Sequence, residues 1–294
     1  MKTEIKLLDG SLSYPLEKQG YNLNKKLWTG DALINNPNVI KKIHKDYLSA
    51  GVDYISTSTY QISYKILNEM GYNLNEIKDV FKRSVSLVKQ AIKETNNKRE
   101  IKIVGSYGPF AASLSDGSEY SGKYNTSDNI IINYHKENMN IIKELDIDTI
   151  LYETIPCLRE IEILSKLVEE YKKEVWVSFT CNKDLEFRDG SSIIKACEIL
   201  SSLENVSTIG VNCFSPLLAE RAIKKLKEHS NKKILIYPNS GEIYNNKDKD
   251  WYGEKYFDSS MIKKWLALSP DIIGGCCRVG FEDIENMREE INFL

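Results

Sequence analysis

Histidine is scarce in this chain, with three among 294 residues. His44, His135 and His229 each fall within a helical pattern, which predicts positions on helix surfaces. So few histidines argue against a histidine-rich zinc site and against a Ser-His-Asp triad. The sequence also lacks a P-loop, a His-Glu-x-x-His helix and an EF-hand loop. Chemistry at a metal or a nucleophile therefore has to come from other side chains.

The chain has no large excess of positive or negative charge, because 40 Lys and Arg residues nearly balance 42 Asp and Glu residues. The net charge of −2 predicts no basic surface for nucleic acid. No apolar run approaches the roughly 20 residues that cross a bilayer, and the N-terminus lacks the apolar stretch of a signal peptide. We therefore expect a cytoplasmic protein that acts on small molecules and has no nucleic-acid or membrane partner. The sequence carries no signal for an oligomeric state.

Six cysteines are too few for a disulfide scaffold in a chain of this length. Cysteine clusters in a cytoplasmic protein are more often metal ligands or catalytic groups. Three of the six stand at the ends of predicted strands, in Gly210-Val211-Asn212-Cys213 and in Gly274-Gly275-Cys276-Cys277-Arg278. Cys157, Cys181 and Cys197 lack such a setting, and we expect them to pack in the core.

Cys213, Cys276 and Cys277 form a pattern typical of a zinc site with one exchangeable position. Zinc prefers four ligands, and a catalytic site leaves one position open for substrate. Adjacent residues of a strand point to opposite faces, so Cys276 and Cys277 reach one metal only where the backbone bends. Gly274 and Gly275 favour such a bend. Buried structural thiols or a vicinal disulfide are the alternative interpretations.

Eight short β-rich segments alternate with amphipathic helical patterns. This alternation predicts an α/β fold with parallel strands and right-handed crossovers. Eight repeats in 294 residues favour a (β/α)8 TIM barrel, with residues 1–294 as a single domain. An open doubly wound sheet is the alternative, but the residues after Asp9 lack its Gly-rich phosphate turn. The predicted strands are 5–8, 52–58, 101–106, 149–153, 175–180, 206–212, 234–237 and 272–275.

Three long connections follow predicted strands, at 10–36, 107–127 and 239–258. In a barrel these connections lie at the C-terminal face, where active sites form. Polar residues stand at the strand ends that lead to this face, and we expect them to converge with the thiols at one mouth. They are Asp9, Thr57, Ser58, Ser106, Glu153, Thr180, Asn212 and Asn239.

Asp9 and Glu153 are candidates for holding a substrate ammonium group, since each places a carboxylate at the end of a strand. A salt bridge at the rim or a helix N-cap is the alternative for each. Trp28 lies in the first long connection, where an aromatic ring can bind a sulfonium or quaternary ammonium by cation–π attraction. Simple packing is the alternative for this ring.

Short motifs follow one another along nearly the whole chain. They are Asp9-Gly10 with Leu16-Glu17, Leu27-Trp28, Thr59-Tyr60-Gln61, Gly105-Ser106-Tyr107-Gly108-Pro109, Asp116-Gly117-Ser118-Glu119-Tyr120, Tyr152-Glu153-Thr154-Ile155-Pro156, Gly210-Val211-Asn212-Cys213, Tyr237-Pro238-Asn239-Ser240-Gly241-Glu242 and Gly274-Gly275-Cys276-Cys277-Arg278. As an ordered set they resemble the homocysteine S-methyltransferase family. The likeness is closest to stand-alone members that use S-methylmethionine or S-adenosylmethionine.

The resemblance implies a (β/α)8 barrel that binds zinc through Cys213, Cys276 and Cys277. It implies transfer of a methyl group from a sulfonium donor to the thiol of L-homocysteine, giving methionine, with no catalytic residue beyond the zinc-activated substrate thiol. It places Asp9 and Glu153 near the homocysteine amino group. The expected substrate-binding residues are Asp9, Trp28, Ser106, Glu153, Asn212 and Asn239.

One segment departs from the family pattern. The family usually has a second glycine and then small or acidic residues after its first Asp-Gly, where this chain has Tyr14 and Pro15. We expect these two residues to reshape the first loop and, with it, the donor pocket. The alternative functions are a betaine- or corrinoid-dependent homocysteine methyltransferase module and a non-catalytic zinc- or redox-sensing barrel.

Overall fold

The computed structural model describes residues 4–245 and 250–294. Its strands in chain order are β1 (Lys6–Leu7), β2 (Tyr54–Ser56), β3 (Lys102–Tyr107), β4 (Thr149–Ile155), β5 (Glu174–Phe179), β6 (Val206–Asn212), β7 (Lys233–Tyr237), β8 (Ile243–Asn245), β9 (Asp250–Tyr252) and β10 (Ile272–Ile273). Within the described residues, eight of them form a parallel sheet in the order β1-β10-β7-β6-β5-β4-β3-β2.

The two edge strands of this sheet also meet each other. Leu8 forms a parallel bridge with Tyr54, and the Asp53 N–H donates to the Leu7 carbonyl at 2.8 Å. These bonds close the sheet into a barrel, so the predicted (β/α)8 fold is confirmed. The barrel interior holds a small apolar cluster that includes Trp176, whose ring meets that of Tyr54 edge-on at 4.8 Å.

Helices follow the strands, and most of them cover the outside of the barrel. They are α1 (Ser13–Lys18), α2 (Gly30–Asn35), α3 (Pro37–Ser49), α4 (Tyr64–Glu69), α5 (Leu74–Thr95), α6 (Asp128–Ile142), α7 (Leu158–Val168), α8 (Ile193–Ser201), α9 (Ala219–His229), α10 (Ser259–Ala267) and α11 (Phe281–Asn292). The longest, α5, begins with a capping box between Asn73 and Glu76, which satisfies backbone donors of its first turn. Among the described residues, no helix combines the length and apolar character that crossing a membrane requires.

The three long connections carry structure of their own. The first contains α1 and α2, the second contains two short 3₁₀ turns, and the third contains the antiparallel hairpin of β8 and β9. The hairpin was not predicted, because strands of three residues are too short to show a clear alternation. All three connections follow barrel strands, so they lie at the mouth that the C-terminal strand ends form.

The prediction that all three histidines lie on helix surfaces is wrong for two of them. His44 is 2% exposed and His135 is 1% exposed, whereas the side chain of His229 is 31% exposed. His44 lies on the inward face of α3, three residues before the buried Tyr47. His135 is held by Glu160, whose Oε1 lies 2.7 Å from Nε2. Helical periodicity identified these segments, but it did not separate their inward from their outward polar positions.

Candidate active site

Three thiols from two strand ends meet at the barrel mouth. The Sγ atom of Cys213 lies 2.7 Å from that of Cys276 and 3.9 Å from that of Cys277, and all three sulfurs are within 4.8 Å of one another. Within the part of the chain that the structure describes, this is the one group of three or more His, Cys, Asp or Glu side chains that could hold a metal ion. Three thiolate ligands on one side of a pocket suit a zinc ion with a fourth position facing substrate.

The backbone turns sharply at both thiol segments. Cys213 directly follows β6 and adopts a left-handed φ of 51°, while Arg278, next to Cys277, has a φ of 66°. The strand β10 stops at Ile273, so the two adjacent cysteines lie in a turn rather than on opposite faces of a strand. Gly275 permits this turn, because a Cβ there would lie 2.5 Å from the Cβ of Val279. The bend that the Gly-Gly pair predicted is therefore present.

Two asparagines support the thiol segments from behind. The side-chain oxygen of Asn239 accepts a hydrogen bond from the Cys277 backbone N–H at 3.1 Å. The side-chain oxygen of Asn212 accepts from the Thr154 N–H at 3.0 Å and from the Ser178 hydroxyl at 2.9 Å, and its side-chain N–H donates to the Sγ of Cys276 at 3.8 Å. Neither asparagine lines the pocket. Both act on the strand ends that carry the site, so direct contact with substrate stays a prediction for them.

Hydrogen bonds among the three thiols change their pKa values in opposite directions. Hydrogen bonds from Cys213 and Cys277 lower the pKa of the Cys276 thiol well below its usual value. The pKa of the Cys213 thiol is raised instead, by hydrogen bonds with Cys276 and Cys277 and by burial. The cluster therefore favours a negative charge on Cys276, which is the state in which a cysteine ligates a metal.

Two carboxyl groups, one from the buried Asp9 and one from the half-buried Glu153, face the same pocket. Glu153 accepts hydrogen bonds from the hydroxyl of Ser106 and from that of Tyr237, the latter at 3.0 Å. Burial, followed by the charge of Cys276, raises the pKa of Glu153 to about 8. Asp9 accepts from both the N–H and the hydroxyl of Ser56, at 2.8 and 2.9 Å, and burial raises its pKa to about 7. A cationic partner would lower both pKa values and stabilise both carboxylates.

Aromatic rings form another part of the pocket wall. Trp28 meets Tyr60 edge-on, with ring centroids 6.1 Å apart, and Tyr120 lines the pocket as well. The pocket has an empty volume of about 820 Å³, part of which is open to solvent. Neither Tyr60 nor Tyr120 was predicted as a substrate residue, although each belongs to one of the motifs.

The structure brings most of the predicted site residues together. Asp9, Trp28, Ser106 and Glu153 line one pocket with the three thiols. The remaining cysteines, Cys157, Cys181 and Cys197, are buried elsewhere, as expected.

The two residues that we expected to depart from the family pattern lie outside the pocket. Neither Tyr14 nor Pro15 contributes to its wall. The ring of Tyr14 instead packs under the guanidinium of Arg278, 4.4 Å from its central carbon, and beside the amino group of Lys18 at 4.6 Å. These two residues therefore do not contact the pocket directly, and their effect on the donor pocket through the shape of the first loop stays a prediction.

With this geometry in view, comparison with known proteins decides the family. Residues 6–291 match the family model described as homocysteine S-methyltransferase. The chain belongs to the homocysteine S-methyltransferase family. Homocysteine S-methyltransferase YbgG of Bacillus subtilis is 33% identical, in a match that covers 96% of this chain and 92% of that protein. Selenocysteine Se-methyltransferase of Brassica oleracea is 31% identical, with 92% and 84% covered.

A solved structure agrees with both the fold and the metal site. The metallated form of the homocysteine methyltransferase MmuM from Escherichia coli matches with a TM-score of 0.86 and 29% sequence identity, over 98% of this chain and 96% of that one. Family membership makes this barrel a homocysteine S-methyltransferase, as the motifs predicted. The three-cysteine cluster and the metallated structure together support a zinc site.

Proposed function

We propose that this enzyme transfers a methyl group from S-methylmethionine or S-adenosylmethionine to the sulfur of L-homocysteine and releases methionine. One observation carries the proposal. Three thiols and two carboxyl groups line the same pocket, so it offers a metal site for a thiol and carboxylates for an ammonium group. Homocysteine carries both groups on one short chain. The names of the relatives support homocysteine as the acceptor.

Cys213, Cys276 and Cys277 are the residues that would hold zinc. A bound zinc ion lowers the pKa of a fourth thiol, so that the thiol is deprotonated near neutral pH. The substrate sulfur then needs no separate general base. The chain's own contribution is to keep the three ligands in place, which Asn239 does through the backbone N–H of Cys277.

Asp9 and Glu153 would bind the homocysteine ammonium group. None of the described residues on the pocket wall is Lys or Arg, so neither carboxylate has a cation of the protein's own beside it there. Ser106 and Tyr237 orient Glu153 by donating hydrogen bonds to its two oxygens. With its sulfur on the metal and its ammonium group on the two carboxylates, homocysteine would present the sulfur in a fixed direction. A fixed direction is the main requirement for in-line transfer.

The aromatic wall would bind the methyl donor. Trp28, Tyr60 and Tyr120 line the pocket, and Arg188 approaches the ring of Tyr120, with its central carbon 6.0 Å from the ring centroid. Aromatic faces attract a sulfonium by cation–π interaction, and they lose that attraction once the donor has become a neutral thioether. The same wall would therefore bind the donor more strongly than the demethylated product.

We further propose a cytoplasmic enzyme whose residues 1–294 form one homocysteine-binding domain. Betaine-dependent and corrinoid-dependent transfer are the competing enzyme proposals, and a zinc or redox sensor is the competing non-enzyme proposal. A panel of donors separates all of them. The zinc-loaded protein is incubated with homocysteine and each donor in turn, and methionine is quantified.

We expect methionine with a sulfonium donor and none with betaine or a methylcorrinoid. Cys276→Ala should abolish both zinc retention and methyl transfer, whereas Cys197→Ala, which removes a buried thiol elsewhere, should retain both. No methionine from any donor would refute the proposal. Selenohomocysteine belongs in the panel as a second acceptor, because a relative is named for methylating selenocysteine.

A further inference from the structure

Two buried polar atoms on the pocket wall have no hydrogen-bond partner among the described residues. They are Nε2 of His44 and Oγ of Ser58, and each residue is 2% exposed. Buried polar atoms in proteins are hydrogen-bonded in the large majority of cases. Two unpaired atoms on the wall of one pocket therefore indicate a ligand that supplies the missing partner.

The neighbouring hydroxyl groups are already used within the protein. Thr57 bonds to the hydroxyl of Thr59 at 2.7 Å and accepts from the Ser106 N–H at 3.0 Å. The hydroxyl of Tyr47, one turn after His44 on α3, donates to the Ser11 carbonyl at 2.6 Å. Ser58 and His44 thus have unpaired polar atoms, whereas the hydroxyl groups of Thr57 and Tyr47 are hydrogen-bonded.

Both groups can donate a hydrogen bond, which favours a ligand that carries a hydrogen-bond acceptor. Burial alone lowers the pKa of His44 to about 4, so its ring is neutral and carries one N–H. In the tautomer with this proton on Nε2, the unpaired atom is a hydrogen-bond donor. Ser58 offers one O–H. Among the described residues, the pocket wall contains no Lys or Arg, so an anionic group in this pocket has to be bound by neutral donors.

The position of Ser58 near Asp9 indicates which anionic group of the substrate could bind there. Ser56, which holds Asp9, lies two residues before Ser58 at the end of β2. An α-amino acid places its ammonium and carboxylate groups on one carbon. A carboxylate beside an ammonium at Asp9 therefore falls near the same strand end.

We propose that His44 and Ser58 form a subsite that binds the α-carboxylate of homocysteine, His44 through its N–H and Ser58 through its O–H. The inference rests on homocysteine being the acceptor. These residues do not take part in methyl transfer. They orient the amino acid and favour it over thiols that lack a carboxylate.

The test uses two acceptors that differ in one group. Homocysteine is compared with 3-aminopropane-1-thiol, which keeps the thiol and the amine and lacks the carboxylate. We expect Ser58→Ala and His44→Phe each to lower kcat/KM for homocysteine by about tenfold or more, because each removes a hydrogen bond to a charged group. With 3-aminopropane-1-thiol, kcat/KM should stay within about twofold of the unmodified enzyme.

Thr149→Val is the matched control. Thr149 also has a buried, unpartnered hydroxyl, but it stands at the start of β4 and does not line the pocket. This variant should change kcat/KM for neither acceptor. If His44→Phe does not fold, Ser58→Ala carries the test by itself.

Two results would overturn the proposal. Equal losses with both acceptors would mean that the residues serve only the structure, and a raised KM for the donor alone would assign the unpaired atoms to the donor. If homocysteine is not the methyl acceptor, the result is distinguishable, because the unmodified enzyme would then methylate neither thiol. In that event, a calorimetric Kd for homocysteine on the zinc-loaded variants still tests the subsite. An unchanged Kd in Ser58→Ala would refute it.

Discussion

The guanidinium of Arg278 lies over the ring of Tyr14, with its central carbon 4.4 Å from the ring centroid. The same guanidinium donates to Glu17 at 3.0 Å and to Glu242 at 2.9 Å. Arg278 directly follows the Cys276-Cys277 pair, so this one side chain ties the thiol turn to α1 and to the third long connection. Tyr14 therefore supports the segment that carries two of the thiols and does not line the substrate pocket.

We predict that Tyr14→Ala lowers the free energy of unfolding by about 1 kcal/mol, as expected for the loss of a partly exposed cation–π contact. The KM values for homocysteine and for the donor should change by less than about twofold, because Tyr14 does not line the pocket. Chemical denaturation and steady-state kinetics measure the two effects. Tyr14→Phe keeps the ring and serves as the control. A raised donor KM in Tyr14→Ala would return this residue to the donor site.

Asn239 offers a second test, of support for the metal site. Asn239→Ala removes the acceptor of the Cys277 N–H and leaves all three thiols in place. Loss of such an outer contact typically weakens metal affinity by about ten- to a hundredfold. A chelator competition should show this loss, while Asn239→Asp, which keeps an acceptor oxygen, should lose less. Equal zinc affinity in Asn239→Ala and the unmodified enzyme would contradict the supporting role.

Glu153→Gln should raise the KM for homocysteine about tenfold or more, because an uncharged amide no longer attracts the ammonium group. The donor KM should change much less. Glu174→Gln is the control, since Glu174 is half-buried at the opposite end of the barrel, where it accepts from the Trp176 ring N–H at 2.9 Å. An unchanged KM for homocysteine in Glu153→Gln would remove this residue from the amino-acid site.

Asp9 makes the stability of the substrate-free enzyme depend on pH. Burial raises its pKa from the usual 3.8 to about 7, so between these values the folded protein binds more protons than the unfolded chain. The contribution of Asp9 to stability is therefore fully present below about pH 4 and is lost as the pH rises through about 7. One pKa unit corresponds to about 1.4 kcal/mol.

Asp9→Asn removes this titration and keeps an acceptor for Ser56. Relative to the unmodified enzyme, the variant should gain a few kcal/mol of stability between pH 5 and pH 8. Chemical denaturation at both pH values measures the difference. The account of Asp9 fails if the stability difference between the two proteins is the same at both.

The sequence predicted the barrel well because each element has a clear local signal. The strand β6 coincides with the predicted segment at both ends, since an apolar run of β-branched residues stops there at a polar end. The strand β10 is shorter than predicted, because the backbone leaves the sheet before Gly274 to form the thiol turn. The hairpin of β8 and β9 was missed because each of its strands has three residues.

The site was predicted in part, for reasons of geometry. Cysteines at strand ends are visible in the sequence, and the barrel rule brings them together. The inward placement of His44 was not visible, because a helical pattern does not show whether a polar residue beside the apolar stripe faces core or solvent. The roles of Asn212 and Asn239 behind the thiols also depend on hydrogen bonds that only the folded backbone determines.

The central claim is that the fourth position of a three-thiolate zinc site receives the sulfur of homocysteine. Zinc X-ray absorption on the loaded enzyme, before and after addition of homocysteine, tests it most directly. We predict three sulfur ligands at about 2.3 Å without substrate and four with it. In Cys276→Ala, zinc should not be retained. A sulfur count that stays at three when homocysteine is bound would contradict the account.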